Sequence, residues 1–235
     1  MNRVAFISDI DTPLGEKLAK LYIEGENRVF ATVSETNSKD ASAGYVALKK
    51  LAPESLQVEI WNRHSPISAK NMILKAVSHF DALDEVVLIG NPNLAASALH
   101  ETSFETIEKA VDSWIKGNLF LLKPVLSRYI AKKEGLLALV CMNYDSLANP
   151  LEELIRRSFL GLAHSLLKAY GNKEFSINAF ESYSTEMQEF ANYIYRNISE
   201  KGARTSGRWR RFRSGILSGL KPGVKPSVAY DRQDS

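Results

Sequence analysis

The first residues of this chain that could do chemistry lie in the polar turn 8–15, which follows a short apolar strand. The turn reads Ser-Asp-Ile-Asp-Thr-Pro-Leu-Gly, and leucines at helical spacing begin directly after it. A strand, a turn and a helix in this order are typical of the start of a dinucleotide-binding sheet, where the helix N-terminus faces a phosphate. Asp9 and Pro13 oppose that use, because a carboxylate repels phosphate and proline lacks the N–H that would donate to it.

Other catalytic arrangements find little support in the sequence. The four histidines, His64, His79, His100 and His164, lack the spacing of metal ligands, so no metal site is predicted. The chain contains neither a Gly-x-Ser-x-Gly nucleophile turn nor a Gly-x-x-x-x-Gly-Lys phosphate loop. The single cysteine, Cys141, ends an apolar strand and is interpreted as a small buried hydrophobic residue.

A basic and aromatic stretch near the C-terminus is the other unusual local composition. From residue 201 onward nine Lys and Arg stand against two Asp, while the whole chain carries a formal charge of +3, so residues 1–200 are net negative. Two interpretations stay open: binding to nucleic acid or to an anionic membrane surface, or an edge strand whose arginines prevent edge-to-edge pairing. The residues concerned are Arg208, Trp209, Arg210, Arg211, Phe212 and Arg213.

Alternating strands and helices must position these groups. The predicted strands cover residues 3–8, 28–33, 56–61, 85–90, 135–143, 175–180 and 206–213, with helical patterns between them. This alternation predicts an α/β fold with a single doubly wound, Rossmann-type parallel sheet of about seven strands and helices on both faces. We expect one domain over residues 1–215 and a basic C-terminal tail containing Gly and Pro over 216–235.

Residue types at several positions predict where helices begin. The first helix is predicted to start at Gly15. Ser65 and Pro66 have the residue types preferred at the N-cap and at the first helical position. Residues 102–105 and 149–152 both match a capping box, in which the first and fourth residues satisfy each other's backbone N–H groups.

The bulk composition fits an ordinary globular protein, with 45% hydrophobic and 24% charged residues. The first residues do not form a signal peptide pattern, and every apolar run is much shorter than the roughly 20 residues of a membrane span. One cysteine excludes an internal disulfide and fits a reducing compartment. We therefore predict a cytoplasmic protein without an integral membrane segment.

Three stretches of the chain resemble the short-chain dehydrogenase/reductase family. Residues 83–91, Leu-Asp-Glu-Val-Val-Leu-Ile-Gly-Asn, correspond to the family's fourth strand and the Asn-Asn-Ala-Gly that ends it. Residues 114–121 resemble the long-helix signature around an asparagine. Residues 161–171, followed by Phe-Ser-Ile-Asn-Ala, are similar to the active-site helix and the next strand. The spacing agrees in all three, so the resemblance covers nearly the whole chain and implies an NAD(P)-binding fold.

The resemblance implies a cofactor turn of the pattern Thr-Gly-x-x-x-Gly-x-Gly, which this chain largely lacks. In this register Ser8 replaces the threonine, Asp9 the first glycine and Pro13 the second. Only Gly15 is kept, and the family uses that glycine for close helix–strand packing, whereas the other two admit the pyrophosphate. The positions equivalent to cofactor-binding residues are Ser8, Asp9, Pro13, Leu14, Gly15, Gly90 and Asn91. We expect a packed turn without a cofactor; NAD or NADP is expected only if the protein is an oxidoreductase.

The family's catalytic Tyr-x-x-x-Lys pair is also replaced, and its positions fall on Glu152 and Arg156. A carboxyl group donates a proton near neutral pH only if its pKa is raised, and we expect the arginine to lower it. Arginine itself keeps its proton and cannot relay one. We expect Glu152 to act in the capping box and to form an i,i+4 ion pair with Arg156.

An asparagine and a serine complete the family's catalytic set. Asn118 matches the asparagine, although a structural hydrogen bond within the helix explains it equally well. The serine position falls on Met142 or Asn143, and Ser146 is reached only by shifting the loop. The candidate catalytic residues are therefore Asn118, Glu152 and Arg156.

These observations leave three hypotheses for the function. The first is a non-catalytic protein of this fold, a pseudoenzyme that acts as an oligomeric binding or regulatory protein. The second is a divergent NAD(P)-dependent oxidoreductase acting on a small carbonyl or alcohol substrate. The third is a protein that binds nucleic acid or an anionic membrane surface through residues 204–213. The resemblance also implies a homodimer or homotetramer, assembled through the long helices and the last strand.

Overall fold

Seven parallel strands form the sheet at the centre of this computed structural model, which describes residues 2–34, 43–92, 94, 97–142, 150–199 and 205–214. The strands are β1 (Val4–Ile7), β2 (Arg28–Ser34), β3 (Leu56–Trp61), β4 (Glu85–Ile89), β5 (Leu136–Met142), β6 (Ser176–Ser182) and β7 (Arg208–Phe212). Their order in the sheet is β3-β2-β1-β4-β5-β6-β7, and every neighbouring pair is parallel. The predicted doubly wound, Rossmann-type sheet is confirmed.

Helices cover both faces of the sheet, as parallel strands joined by crossovers require. They are α1 (Pro13–Glu24), α2 (Ala43–Leu51), α3 (Pro66–Phe80), α4 (Phe104–Val111), α5 (Gly117–Lys132), α6 (Pro150–Tyr170) and α7 (Met187–Ser199). One core lies between the sheet and α3, α5 and α6; the other lies between the sheet and α1, α2 and α7. A π-helical segment, Asp112–Lys116, joins α4 to α5.

Alternation of side chains along each strand builds these two cores. In β1, Val4 and Phe6 face the α3–α5–α6 side, while Ala5 and Ile7 face the α1–α7 side. All four residues are fully buried, which is why the strand reads as a continuous apolar run and not as an alternating one. The register aligns Phe6 with Phe30 of β2, and the two rings stack at 5.8 Å.

Two of the predicted helix starts need correction. Helix α1 begins at Pro13, two residues before the predicted Gly15, because the Thr12 hydroxyl accepts a hydrogen bond from the Gly15 N–H at 3.1 Å and proline suits the first helical position. Helix α4 is capped by Ser103 and not by the first residue of the predicted box.

Of the two other predicted helix starts, one is confirmed and one lies outside the described residues. The start at Ser65 and Pro66 is confirmed, with the Ser65 hydroxyl accepting from the Ser68 N–H. Asn149, the proposed cap of α6, lies outside the described residues, as does the predicted tail 216–235. Among the helices that are described, none combines the length and apolar character needed to cross a membrane.

Close packing of α6 on the sheet depends on Gly90, which directly follows β4. A Cβ atom at this position would lie 2.3 Å from the ring of Phe159, a buried residue of α6. Gly161, on the exposed side of the same helix, has no atom within 4 Å of its own hypothetical Cβ. The two glycines therefore stand in opposite environments.

We expect Gly90→Ala to lower the free energy of unfolding by about 1–3 kcal/mol, because the added methyl group displaces Phe159 or the strand. Gly161→Ala, the matched control, should raise it by up to about 1 kcal/mol through helix propensity alone. Urea unfolding followed by circular dichroism measures both changes. Equal stabilities of the two variants would contradict the packing described for Gly90.

Candidate functional site

The predicted cofactor turn is closed by a buried ion pair between Asp9 and Arg63. Asp9 follows β1 and Arg63 follows β3, so both lie at the carboxyl edge of the sheet, where ligands bind in this architecture. Each residue is only 4% exposed. The Nη2 atom of Arg63 donates to both carboxylate oxygens of Asp9, at 2.6 Å and 2.5 Å. The carboxylate predicted to repel phosphate is thus neutralised by a residue of the chain itself.

Aromatic rings and an amide complete the surroundings of the Arg63 guanidinium. Its central carbon lies 4.0 Å from the ring centroid of Trp61 and 4.3 Å from that of Trp114, distances at which cation–π attraction is strong. Its Nη1 atom donates to the Asn118 side-chain oxygen at 3.0 Å. Asn118, the predicted catalytic asparagine, also donates from Nδ2 to the Trp114 carbonyl at 2.5 Å. We call Asp9, Arg63, Trp61, Trp114 and Asn118 the Arg63 cluster.

The start of α5 approaches Arg63 closely because Gly117 has no side chain. A Cβ atom on Gly117 would lie 2.9 Å from both the Cβ and the carbonyl oxygen of Arg63. This approach brings Asn118, the next residue, within hydrogen-bond distance of the guanidinium. The cluster thus joins two positions that the sequence assigned to different functions: Asp9 to the cofactor turn and Asn118 to catalysis.

Two of the first three positions of α1 offer no N–H group to an anion. Pro13 has no N–H, and the Gly15 N–H is used by the Thr12 hydroxyl, which in turn donates to the Asp9 carbonyl at 2.7 Å. Leu14 is buried in the core below. A Cβ on Gly15 would lie 2.2 Å from the Asp9 carbonyl oxygen, so this glycine serves close packing, the role that the resemblance implied for it.

The remaining cofactor-position residues join strands to one another. The Ser8 hydroxyl accepts from the Ile89 N–H at 2.9 Å and so fastens β1 to β4. The Asn91 amide donates to the Met142 carbonyl at 2.8 Å and accepts from the Met142 N–H at 2.6 Å, which fastens β4 to β5. Met142, one of the two positions considered for the serine, is buried; Asn143 and Ser146 lie outside the described residues.

Arg156, one of the two residues at the predicted catalytic positions of α6, pairs within its own helix. Arg156 is buried and forms its ion pair with Glu153, three residues earlier, so the predicted pairing with Glu152 needs correction. Glu153 also pairs with Arg157 at 2.6 Å. A residue spacing of three or four places side chains on the same helix face, and Glu153 uses both spacings.

The pKa of Glu152 shifts in the direction opposite to the prediction. Partial burial raises the pKa of this carboxyl group above its ordinary value, although the charge of Arg156 and a hydrogen bond from the Leu94 backbone N–H both favour the ionised form. Desolvation is the largest of the three effects, which is why the arginine does not decide the sign. Glu152 therefore keeps a proton to higher pH than an exposed glutamate does.

Cys141 is a buried residue of β5, as its interpretation from the sequence requires. Burial raises the pKa of its thiol to about 12, so the nucleophilic thiolate is scarce near neutral pH. Among the described residues, no group of three or more His, Cys, Asp or Glu side chains is placed to hold a metal ion.

The basic stretch 208–213 forms the edge strand β7 and the residue after it, and one face of the strand binds Glu181 of β6. The Trp209 indole N–H and the Arg211 Nε both donate to Glu181 Oε2, at 2.8 Å and 3.2 Å. Glu181 is buried, and Arg208 and Arg213 are exposed. The indole is thus fixed by the protein's own carboxylate.

The other face of β7 packs on α7. The Phe212 ring lies 5.6 Å from that of Phe190, in a stacked arrangement. Arg210 donates from Nη2 to the Thr205 hydroxyl at 2.8 Å. Both aromatic residues of the stretch therefore have internal partners, which favours the edge-strand interpretation over stacking on nucleic-acid bases.

No protein-family model and no curated protein matches this chain. Among solved structures it resembles ElxO with NADP bound, at a TM-score of 0.73 and 17% identity over 90% of this chain and 97% of that one. It resembles levodione reductase at a TM-score of 0.73 and 13% identity, over 89% of this chain and 95% of that one. It also resembles a Serratia marcescens short-chain dehydrogenase/reductase variant at a TM-score of 0.70 and 13% identity, over 89% of this chain and 96% of that one. The chain therefore has the fold of the short-chain dehydrogenases/reductases.

Arg63 is a residue of the site that no motif in the sequence indicates. It stands two positions after β3, at the same sheet edge as Asp9, and a tryptophan ends the strand before it. An acidic residue in a turn surrounded by apolar strands requires a buried cation, since an unpaired buried charge is too costly. That requirement, applied to the residues following each strand, would have indicated Arg63.

We expect Arg63→Met to lower the free energy of unfolding by about 3–5 kcal/mol, because it leaves the Asp9 carboxylate buried without a partner. Adding Asp9→Asn should recover part of this loss by removing the charge. Arg157→Met, an arginine whose side chain is 67% exposed, should cost at most about 1 kcal/mol. Urea denaturation of the four proteins measures these values. A loss for Arg63→Met no larger than that for Arg157→Met would refute the pairing.

Proposed function

We propose that this chain is a non-catalytic protein of the short-chain dehydrogenase/reductase fold, a pseudoenzyme that acts as an oligomeric binding or regulatory protein. One observation carries the proposal: the turn that would receive a dinucleotide is closed by the Asp9–Arg63 pair. The pyrophosphate would have to enter beside a carboxylate and displace a guanidinium that has four partners in the Arg63 cluster.

The catalytic positions support the same proposal. Asn118 is engaged by Arg63, and Arg156, in the place of the family's lysine, is paired with Glu153. A guanidinium keeps its proton, so Arg156 cannot pass one to a neighbouring acid. Neither residue retains the chemical role that its position implies.

A second candidate function is an NAD(P)-dependent oxidoreductase acting on a small carbonyl or alcohol, and one observation favours it. The raised pKa of Glu152 is the property that a carboxyl group needs in order to replace a tyrosine as general acid. A protein with the same fold, ElxO, holds NADP. Under this alternative NAD or NADP would be the cofactor and Glu152 the proton donor.

We expect calorimetric titration of the protein with NAD(H) and NADP(H) to show no saturable binding in the micromolar range, because the Asp9–Arg63 pair fills the turn. Thermal shift with the same four compounds should show no change in Tm. Micromolar binding, together with NADPH oxidation by a small carbonyl compound that Glu152→Gln abolishes, would establish the oxidoreductase instead.

We also propose that two copies of the chain associate through α5 and α6. These helices form a mostly apolar groove of about 290 Å³, whose lining includes Leu119, Leu126, Ile130 and Leu162 together with Lys123 and Ser127. Leu119 is 45% exposed and Ile130 is 48% exposed, so the groove carries apolar surface that a second copy would bury. A two-fold axis would let each copy cover the same groove of the other.

We expect Ile130→Glu to weaken self-association at least about tenfold, since it places a charge in the groove at a cost of more than about 1.4 kcal/mol. Ile67→Glu, the same change at a 71% exposed position of α3, is the control and should leave association unchanged. Sedimentation equilibrium over a concentration series measures both. A wild-type protein that stays monomeric at every concentration would remove the proposal.

A further inference from the structure

The Arg63 guanidinium is held by several groups besides Asp9. Its Nη1 donates to the Asn118 oxygen, and the Ser113 carbonyl lies 3.5 Å from the same atom. The rings of Trp61 and Trp114 contact its planar group. These contacts come from β3, the π-helical segment and α5, and none of them involves the carboxylate. We therefore expect the guanidinium to keep its position when the carboxylate is removed.

The cluster offers more N–H groups than the chain itself uses. Arg63 Nε and Trp61 Nε1 are buried, and neither has a hydrogen-bond partner among the described residues. A buried donor without an acceptor carries a free-energy cost. A carboxylate supplies two oxygens, and both already accept from Nη2 of Arg63. Arg63 Nε is thus a donor of the guanidinium itself that Asp9 leaves unused, and an anion with more oxygen atoms, such as a phosphate, has a further acceptor for it.

The backbone at Asp9 favours a residue without a side chain. Its φ angle is +56°, in the left-handed region that glycine adopts most readily and aspartate tolerates. The conformation therefore does not require the carboxylate. What the side chain adds at this position is an anion, delivered to Arg63.

We propose that Asp9 is an intramolecular ligand: its carboxylate occupies an anion site centred on Arg63 and keeps that site closed to small phosphate compounds. The excluded class comprises diphosphates, either free pyrophosphate or the diphosphate of a dinucleotide. The proposal deepens the proposed function and rests on it, since it names the residue that closes the site. Because the carboxylate is tethered beside the guanidinium, it competes at high effective concentration with any anion from solution.

The test is to remove the carboxylate and titrate with inorganic pyrophosphate, then with NADPH. Asp9→Gly converts the buried neutral pair into an unpaired guanidinium, and glycine adopts the φ of +56° at this position readily. We expect it to bind pyrophosphate at least about tenfold more tightly than the wild type does. Adding Arg63→Met should abolish the gain. Asp81→Gly is the matched control, since Asp81 has a φ of +58° but is exposed at the end of α3, and it should bind as the wild type does.

Each outcome decides between the alternatives. A folded Asp9→Gly protein that gains no affinity for pyrophosphate, or keeps its gain after Arg63→Met, overturns the proposal. Gain for pyrophosphate but not for NADPH supports it and assigns the site to free diphosphates. If Asp9→Gly unfolds, refolding is measured with pyrophosphate present, where rescue supports the proposal and its lack overturns it.

The proposed function is tested on the wild-type protein, and the intramolecular ligand on the Asp9→Gly variant. Dinucleotide binding by the wild-type protein would contradict the proposed function. The role of Asp9 is judged from the difference in pyrophosphate affinity between the wild type and Asp9→Gly. If the wild-type protein already binds pyrophosphate as tightly as Asp9→Gly does, Asp9 does not close the anion site at Arg63.

Discussion

The carboxyl edge of this sheet is organised by one buried ion pair, Asp9–Arg63. A charge in a protein interior is tolerated only when it is paired and hydrogen-bonded, so the position of each partner constrains that of the other. The aspartate is fixed by the end of β1, which requires the arginine to extend inward from the end of β3. Asn118 and the two tryptophans surround the guanidinium, because its five donors need acceptors and its two flat faces pack well on planar groups.

The residues at the positions predicted to contact a cofactor make contacts within the protein. Ser8 and Asn91 join neighbouring strands, and Gly90 admits the Phe159 ring. Gly15 keeps its packing role beside the Asp9 carbonyl. The fold can accept these changes because the sheet and its two cores are built from apolar side chains far more than from the polar edge. The residues that stabilise the fold are therefore largely different from the polar residues at the carboxyl edge of the sheet.

Glu152 illustrates how burial can outweigh a neighbouring charge. The sequence indicated a carboxyl group whose pKa an arginine would lower, yet the largest influence is desolvation, which raises it. Arg156 is meanwhile occupied by Glu153. Spacing along a helix gives the possible partners of an arginine, but two glutamates at consecutive positions both qualify, and only packing selects between them.

Much of the fold was predictable from the sequence, for reasons that lie in local chemistry. Continuous apolar runs such as β5 indicate strands buried on both faces, and Ser65 with Pro66 marks a helix start through hydrogen bonding within a few residues. Two predicted helix starts differ from the observed ones by one or two residues. Helix α1 is capped by Thr12 and begins at Pro13, before the predicted Gly15. Helix α4 is capped by Ser103 and not by Thr102.

The positions of the strands, their parallel arrangement and the residue types at the predicted cofactor and catalytic positions follow from the sequence, because periodicity and residue type are local properties. What those residues contact depends on the tertiary structure, because their partners are distant in sequence. The Asp9–Arg63 pair joins residues 54 positions apart, and Asn118 reaches the same guanidinium from 55 positions further along. Charges this distant in sequence are brought together by strand order, and their pairing follows from burial, which sequence spacing does not encode.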